Sequence, residues 1–568
     1  MLPRLFGNTT ERCVPNGDIT ENGVGKLDDI TPKALKEIKK LGCTHVWYTG
    51  VIEHATCTDY SAHGITPDNP YVVKGKAGSP YAIKDYYDID PDLATDVEAR
   101  MQEFEALITR THENGLRAII DFVPNHVARQ YHSDAKPAGI KDLGDCDNTA
   151  HHFNPQNNFY YFPGQEFCPQ FGIGDEGNRY HEFPARATGN DCFTPSPGRN
   201  DWYETVKLNY GVDYLNCRRK NFNPTPDTWT KMRDILLFWA GKDIDGFRCD
   251  MAEMVPVEFW GWAIPQVKAQ YPHVVFIAEV YNPGEYRNYL HNGHFDYLYD
   301  KVGLYDLLRS IVNRRSSVLQ ISNCWQSLEG INRQMVNFLE NHDEQRVASP
   351  AYCGDAFKAY PAFIVSAMMN TNPFLLYFGQ ELGESADDAE GFSGLDGRTT
   401  IFDYWSVPSI RAWYNRGKCN SECLTDEQKL LREMYRKALT LCNKEAALRE
   451  GDFFDLMYVN FDNDAIDPHH NYTFLRRHKN ELLLIAVNFN AWATDIRIRL
   501  PRHAFEHWNI RPGIVECTEL LSGEKCSKTL DPDTLFCTSI EHYNAVIWKC
   551  KIQSAQKVVK KSARTQTK

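Results

Sequence analysis

The sequence predicts an α/β protein, a (β/α)8 barrel carrying an inserted domain after its third strand and a C-terminal antiparallel β domain. Three observations carry that prediction. Short continuous apolar runs alternate with amphipathic stretches through the first three-quarters of the chain. One long interval, residues 127–207, breaks the rhythm with Asn, Pro, Gly and aromatic residues. From about residue 450 the pattern turns to strands.

The elements follow in order. Thr31 caps a helix that begins with Pro32 and continues through Ile38, and Gly42 ends it. Thr44 to Tyr48 is a short strand. A long helix runs from about Asp96 to Asn114 and stops at Gly115, and the strand Arg117 to Val123 comes next. Further apolar runs, Ile244 to Cys249, Val274 to Ala278, Met335 to Leu339 and Phe374 to Phe378, each follow a helical stretch. Continuous apolar strands separated by helices mark a parallel sheet covered on both faces. Eight such units close into a TIM barrel. A loop as long as 127–207 inside a compact domain is functional or a small domain of its own. Near the C-terminus, Tyr472 to Arg477 and Glu481 to Phe489 flank a turn at Lys479-Asn480. Ile496, Ile498 and Leu500 alternate with Arg497 and Arg499, as in a half-buried strand. The expected organisation is a barrel over 1–126 and 208–445, an inserted domain over 127–207, a β-sandwich over 450–552 and a disordered basic tail over 553–568.

Composition narrows the partners. The chain of 568 residues has 62 Lys and Arg against 75 Asp and Glu, a formal charge of -13. A surface of that sign excludes nucleic acid, whose binding relies on positive charge. A neutral polymer is compatible with it, and the 12% aromatic content supplies faces that stack on sugar rings. No basic start followed by an apolar stretch marks a signal peptide, and no apolar run is long enough to span a bilayer. The 17 cysteines are scattered without a CxxC pair. These features predict a cytoplasmic protein with reduced thiols and no membrane partner. Oligomeric state is not legible in the sequence.

The chemistry gathers at strand ends, where barrels of this kind place their sites. One strand ends in Asp121-Phe-Val-Pro-Asn125-His126, the next in Asp245-Gly-Phe-Arg248-Cys-Asp250. Another ends in Phe276-Ile-Ala-Glu279-Val-Tyr281, and the last in Phe338-Leu-Glu-Asn341-His342-Asp343. Taken singly, each cluster reads as a salt bridge, a solvated acid or turn chemistry. Together they present three carboxylates, Asp250, Glu279 and Asp343, to one face, and burying that much charge is costly without function. Glycoside cleavage needs this set. One carboxylic acid protonates the leaving oxygen while a carboxylate attacks the anomeric carbon, the two standing about 5–5.5 Å apart in retaining enzymes. Arg248 and Asp250, two residues apart, point to the same side of a strand, so the cation keeps Asp250 ionised. Glu279 must hold a proton, so its surroundings are expected to raise its pKa.

The four segments resemble, in order, the four signature regions of the α-amylase superfamily. The match covers roughly residues 1–445. The resemblance implies that Asp250 is the nucleophile, Glu279 the general acid/base and Asp343 the transition-state stabiliser. It assigns Arg248, His126 and His342 to the sugar in the cleaved subsite, and Tyr81 in Ser-Pro-Tyr-Ala-Ile-Lys-Asp to stacking beneath it. It implies an α-1,4-glucan substrate such as starch, glycogen or maltodextrin. Asn125 matches one ligand of the family's structural calcium. Met254, however, stands where classical members have a histidine, and Asn209-Tyr210 replaces the usual acidic residue. Oxygen-rich coordination needs six or more ligands, so no cofactor is expected to be required. Glu253 replaces the basic residue common beside the acceptor sugar, which leaves transfer to a sugar open beside hydrolysis. A non-catalytic carbohydrate-binding relative would have lost a carboxylate, and all three are present. The run Phe159-Tyr160-Tyr161-Phe162 lines the glycan cleft or forms the core of the insertion.

Overall fold

The computed structural model describes residues 1–171 and 179–553. Nearly all of the expected tail lies outside the described residues. The chain forms two compact units. The first comprises Met1–Tyr305, Gln334–Ala356 and Pro373–Arg436; the second comprises Asp306–Arg333, Phe357–Asn372 and the chain from Lys437 onward.

The first unit is built on a seven-stranded parallel sheet whose spatial order is the chain order. Its strands are β1 (His45–Tyr48), β2 (Arg117–Phe122), β3 (Gly246–Cys249), β4 (Val275–Ala278), β5 (Tyr297–Tyr299), β6 (Met335–Phe338) and β7 (Phe374–Leu375). Met1 sits on the outer edge of β1: its amine donates to Trp47 O at 2.7 Å, and Thr49 N donates to Met1 O at 2.9 Å. The strands are apolar throughout because both faces are covered. In β2, Ala118, Ile120 and Phe122 are all fully buried. Gly246 opens β3 because a Cβ there would meet Val275 O at 2.8 Å, so only glycine lets β3 and β4 approach.

Local signals position the helices as expected. Thr31 Oγ1 accepts Ala34 N at 3.2 Å at the start of Pro32–Leu41, and Gly42 closes it at φ 112°. The helix expected over Asp96 to Asn114 splits into a 3-10 turn, Val97–Ala99, capped by Asp96, and the α-helix Arg100–Glu113. β5 escaped the sequence reading because Asp296 and Asp300 cut its apolar run to Tyr297–Tyr299.

Within the interval 127–207, His126–Ala128 pairs antiparallel with Thr205–Lys207, and Tyr161–Phe162 with Ala185–Arg186. Tyr160 and Phe162 join Val72, Phe167, Tyr180 and Ala185 in one buried cluster. The aromatic run is therefore core, not cleft lining. Buried Arg129 and half-buried Arg186 clasp Glu182 at 2.9 and 2.7 Å.

In the second unit, six antiparallel strands run in the order Asp452–Asp455, Asn471–His478, Glu481–Asn488, Asn544–Lys551, Gly513–Glu519, Lys525–Leu530. Thr494–Ile498 and Phe536–Ile540 form a separate antiparallel pair. Ile496 and Ile498 face the apolar cluster of this unit while Arg497 is exposed. No helix among the described residues is long and apolar enough to cross a membrane.

Candidate active site

Register builds the site. Phe122 pairs with Cys249, and Cys249 pairs with Ala278. One step further, Asp250 N donates to Phe122 O and Glu279 N to Cys249 O. Asp250 and Glu279 thus leave adjacent parallel strands at the same level, where neighbouring chains run about 4.8 Å apart. The two acids are therefore carried side by side, as a retaining glycosidase requires of its carboxylate pair.

Arg248 joins them. Its Nη1 lies 2.8 Å from Asp250 Oδ1 and 3.3 Å from Asp121 Oδ1, and its Nη2 lies 2.7 Å from Glu279 Oε2. The guanidinium is fully buried and faces the rings of Trp47, Tyr81 and Tyr299 at 5.2, 5.4 and 5.6 Å. The sequence reading gave this cation to Asp250 alone; the structure divides it among three carboxylates. Glu279 also accepts Met251 N at 2.8 Å and Tyr281 Oη at 2.5 Å. Met251 adopts φ 43°, a left-handed conformation that costs a non-glycine residue energy and persists where surroundings enforce it. Here it follows the Asp250 strand end and accompanies the amide's contact with Glu279.

Asp343 belongs to the same cluster. His342 Nε2 lies 2.9 Å from Asp343 Oδ2 and 2.7 Å from Tyr81 Oη, and the Tyr81 and His342 rings stack at 5.1 Å. Asn341 Oδ1 accepts Asp343 N and Glu344 N, which fixes the turn that presents the acid. The buried pair Glu340–Arg346, at 2.9 Å, anchors that turn, and Arg346 also donates to Phe378 O.

Electrostatics separate the acids. Burial pushes the Asp250 carboxyl well above the ordinary Asp range, against the pull of Arg248 and with repulsion from Glu279 and Asp343 added. Burial also raises Asp343, but His342 outweighs it and holds that acid at about 2; 42% of the Asp343 side chain is open to solvent. Burial lowers His126 to about 3, helped by Lys207 and Lys74, so its imidazole is neutral. His126 lies against the Tyr81 backbone and the Trp202 ring.

Asn125 stands apart from this cluster. Its Oδ1 accepts Lys207 Nζ, which also lies 2.7 Å from Asp191 Oδ1 and 3.3 Å from Met254 O. An ammonium already occupies this oxygen set, so these residues do not fit calcium. Glu253 ties two strand-end loops together: its Oε2 accepts Asn282 N, in the loop after β4, at 3.0 Å. Cys249 is fully buried next to Asp250, as a small filler.

The sequence reading missed Trp47, Tyr299 and the part played by Asp121. Trp47 donates to Asp121 Oδ2 at 2.9 Å, and Arg248 Nε donates to Tyr299 Oη at 3.2 Å. Trp47 lies inside β1, between Val46 and Tyr48, so nothing local marked it. Asp121 opens the first strand-end cluster and was visible there.

Comparisons with known proteins identify the family. The family model "Alpha amylase, catalytic domain" matches residues 1–447. Alpha-amylase 3 of Dictyoglomus thermophilum is 24% identical over 452 residues, 75% of each chain. Cyclomaltodextrinase of Geobacillus thermopakistaniensis is 21% identical over 513 residues, 88% of this chain and 69% of that protein. Among solved structures, the α-amylase of Geobacillus thermoleovorans, complexed with acarbose, aligns with a TM-score of 0.62 at 18% identity, covering 97% of each chain. AmyP in complex with maltose aligns at 0.61 and 15% identity, covering 98% and 96%. The chain belongs to the α-amylase family of glycosidases, which act on α-glucans.

Proposed function

We propose that this chain is a retaining hydrolase of α-1,4-glucosidic bonds in starch, glycogen or maltodextrins. The observation that carries the reading is the level placement of Asp250 and Glu279 on adjacent strands, bridged by Arg248. Asp250 is the nucleophile and Glu279 the general acid/base. In this reading Asp250 reacts as the carboxylate, with Arg248 Nη1 at 2.8 Å, and Glu279 supplies the proton. Glu279 then protonates the leaving glycosidic oxygen while Asp250 Oδ bonds to the anomeric carbon. In the second half, Glu279 takes a proton from water, the water oxygen bonds to that carbon, and Asp250 leaves as carboxylate. Asp343, held ionised by His342, hydrogen-bonds sugar hydroxyls and favours the cationic transition state. Neutral His126 donates or accepts without adding charge, and Tyr81 stacks under the ring. Calcium at Asn125 plays no part in this reading, because Lys207 supplies the positive charge there. The scattered cysteines support a reducing compartment.

The test is maltoheptaose, with products followed by chromatography over time. Shorter oligosaccharides of retained anomeric configuration, absent with Asp250→Asn, are expected; an Asp250→Asn profile identical to wild type sinks the assignment. A second reading, transfer of the glycosyl group to a sugar or phosphate, draws on a short local match. Residues of this chain are 41% identical over 56 residues to the α-1,4-glucan:maltose-1-phosphate maltosyltransferase of Cereibacter sphaeroides, 10% of this chain and 9% of that protein. Products longer than maltoheptaose favour that reading.

A further inference from the structure

Away from the catalytic cluster, a second group of acids converges from three separate stretches. Glu53 lies in the loop after β1, Asp85 and Asp88 follow Tyr81, and Asp134 lies in the inserted segment. One carboxylate oxygen from each lies within 4.8 Å of all the others. Two oxygens bound to one calcium ion at about 2.4 Å can stand no more than about 4.8 Å apart. The four atoms are therefore spaced for a single ion.

Charge and hydrogen bonding point the same way. Glu53, Asp85 and Asp88 are 1%, 0% and 4% exposed, and Asp134 is exposed, which gives an ion its route in. Arg100 pairs with Asp88 Oδ2 at 2.5 Å. Lys84 is committed to Asp68, at 3.0 Å, and to Thr66 O. Asp85 is fixed in place: Oδ1 accepts Tyr87 N and Ser133 Oγ, while Oδ2 accepts only Ala135 N and keeps a lone pair. Glu53 Oε2 has no hydrogen-bond partner among the described residues. An orphaned carboxylate oxygen in so buried a side chain is costly unless something positive meets it.

We propose that Glu53, Asp85, Asp88 and Asp134 bind one hard divalent cation of the calcium class. All-oxygen donors of this kind select calcium, magnesium or manganese, and an irregular carboxylate cage suits calcium best. The ion ties the loop after β1 to the 85–88 segment and to the 133–135 loop. Tyr86, between two of the ligands, donates to Val123 O at the end of β2, so the ion braces the stretch that carries Tyr81 towards His342. This set is separate from Asn125, where Lys207 takes the cation's place.

The full chain, stripped with a chelator and dialysed, is titrated with terbium and with calcium. Tyrosine-sensitised luminescence at one terbium per chain, competed away by calcium, and a calcium-dependent rise in melting temperature are expected. Glu53→Gln and Asp134→Asn should each weaken calcium binding at least about tenfold. Asp134→Asn, at an exposed position, should keep the metal-free melting temperature of the wild type, which separates loss of binding from misfolding. Stripped wild-type protein that shows neither terbium luminescence nor a calcium-dependent melting shift overturns the proposal. So does calcium affinity unchanged in both variants.

Discussion

Arg248 is the residue on which the site turns. Its guanidinium contacts Asp250, Glu279 and Asp121 at once, and a planar fork with several donors is needed to serve three acids. Arg248→Lys keeps the charge but loses the fork, and kcat for maltoheptaose is expected to fall about 100-fold, with a smaller change in KM. Asp250→Asn should lower kcat by about 10^4 or more, the scale seen when a nucleophile is removed. Burial raises Asp250 above its ordinary value of 3.8, so the acid limb of kcat/KM should lie well above pH 4. A limb at or below 4 would contradict the burial argument. Asp343, at about 2, does not titrate in that range. The stability sign follows. A folded-state pKa above the unfolded one means the fold favours the protonated acid. That contribution is complete below 3.8 and is lost as pH rises through the raised value. Asp250→Asn should therefore melt at or above the wild-type temperature at pH 7, as removal of a strained functional charge does.

At the scale of elements, the strand-end turns are held by buried ion pairs and not by propensity. Arg346 is fully buried between Glu340, Thr399 and Phe378 O. Arg346→Met leaves Glu340 charged and unpaired, and a loss of about 3–5 kcal/mol is expected from chemical denaturation, together with reduced kcat because the 341–343 turn loses its anchor. Lys207 braces the root of the insertion in the same way. Lys207→Met should cost about 2 kcal/mol, the worth of hydrogen bonds to a charged group. Calcium should not close the gap to wild type, because Asn125, Asp191 and Met254 O supply too few ligands. Thermal melts of both proteins, with and without calcium, check this.

The whole molecule carries a charge of -13 that sets its partners more than its fold. It should pass through a heparin column at low salt without retention, whereas retention would mean a basic face strong enough to override the net charge. Within this molecule, what was legible in the sequence is what is local. Alternation at spacing two put Arg248 and Asp250 on one side of a strand, and apolar runs of strand length marked six of the seven strands of the sheet. The cap at Thr31 and the left-handed glycine at Gly42 are likewise written in adjacent residues. The sequence by itself determined the family, the parallel sheet and the identity of the polar strand ends. Only the tertiary structure decided which acids share Arg248, that Lys207 fills the oxygen set of Asn125, that Tyr160 and Phe162 are core, and that Glu53 meets Asp134. Each of those depends on side chains brought together from distant stretches, and their energies come from burial and charge balance, which no local pattern encodes.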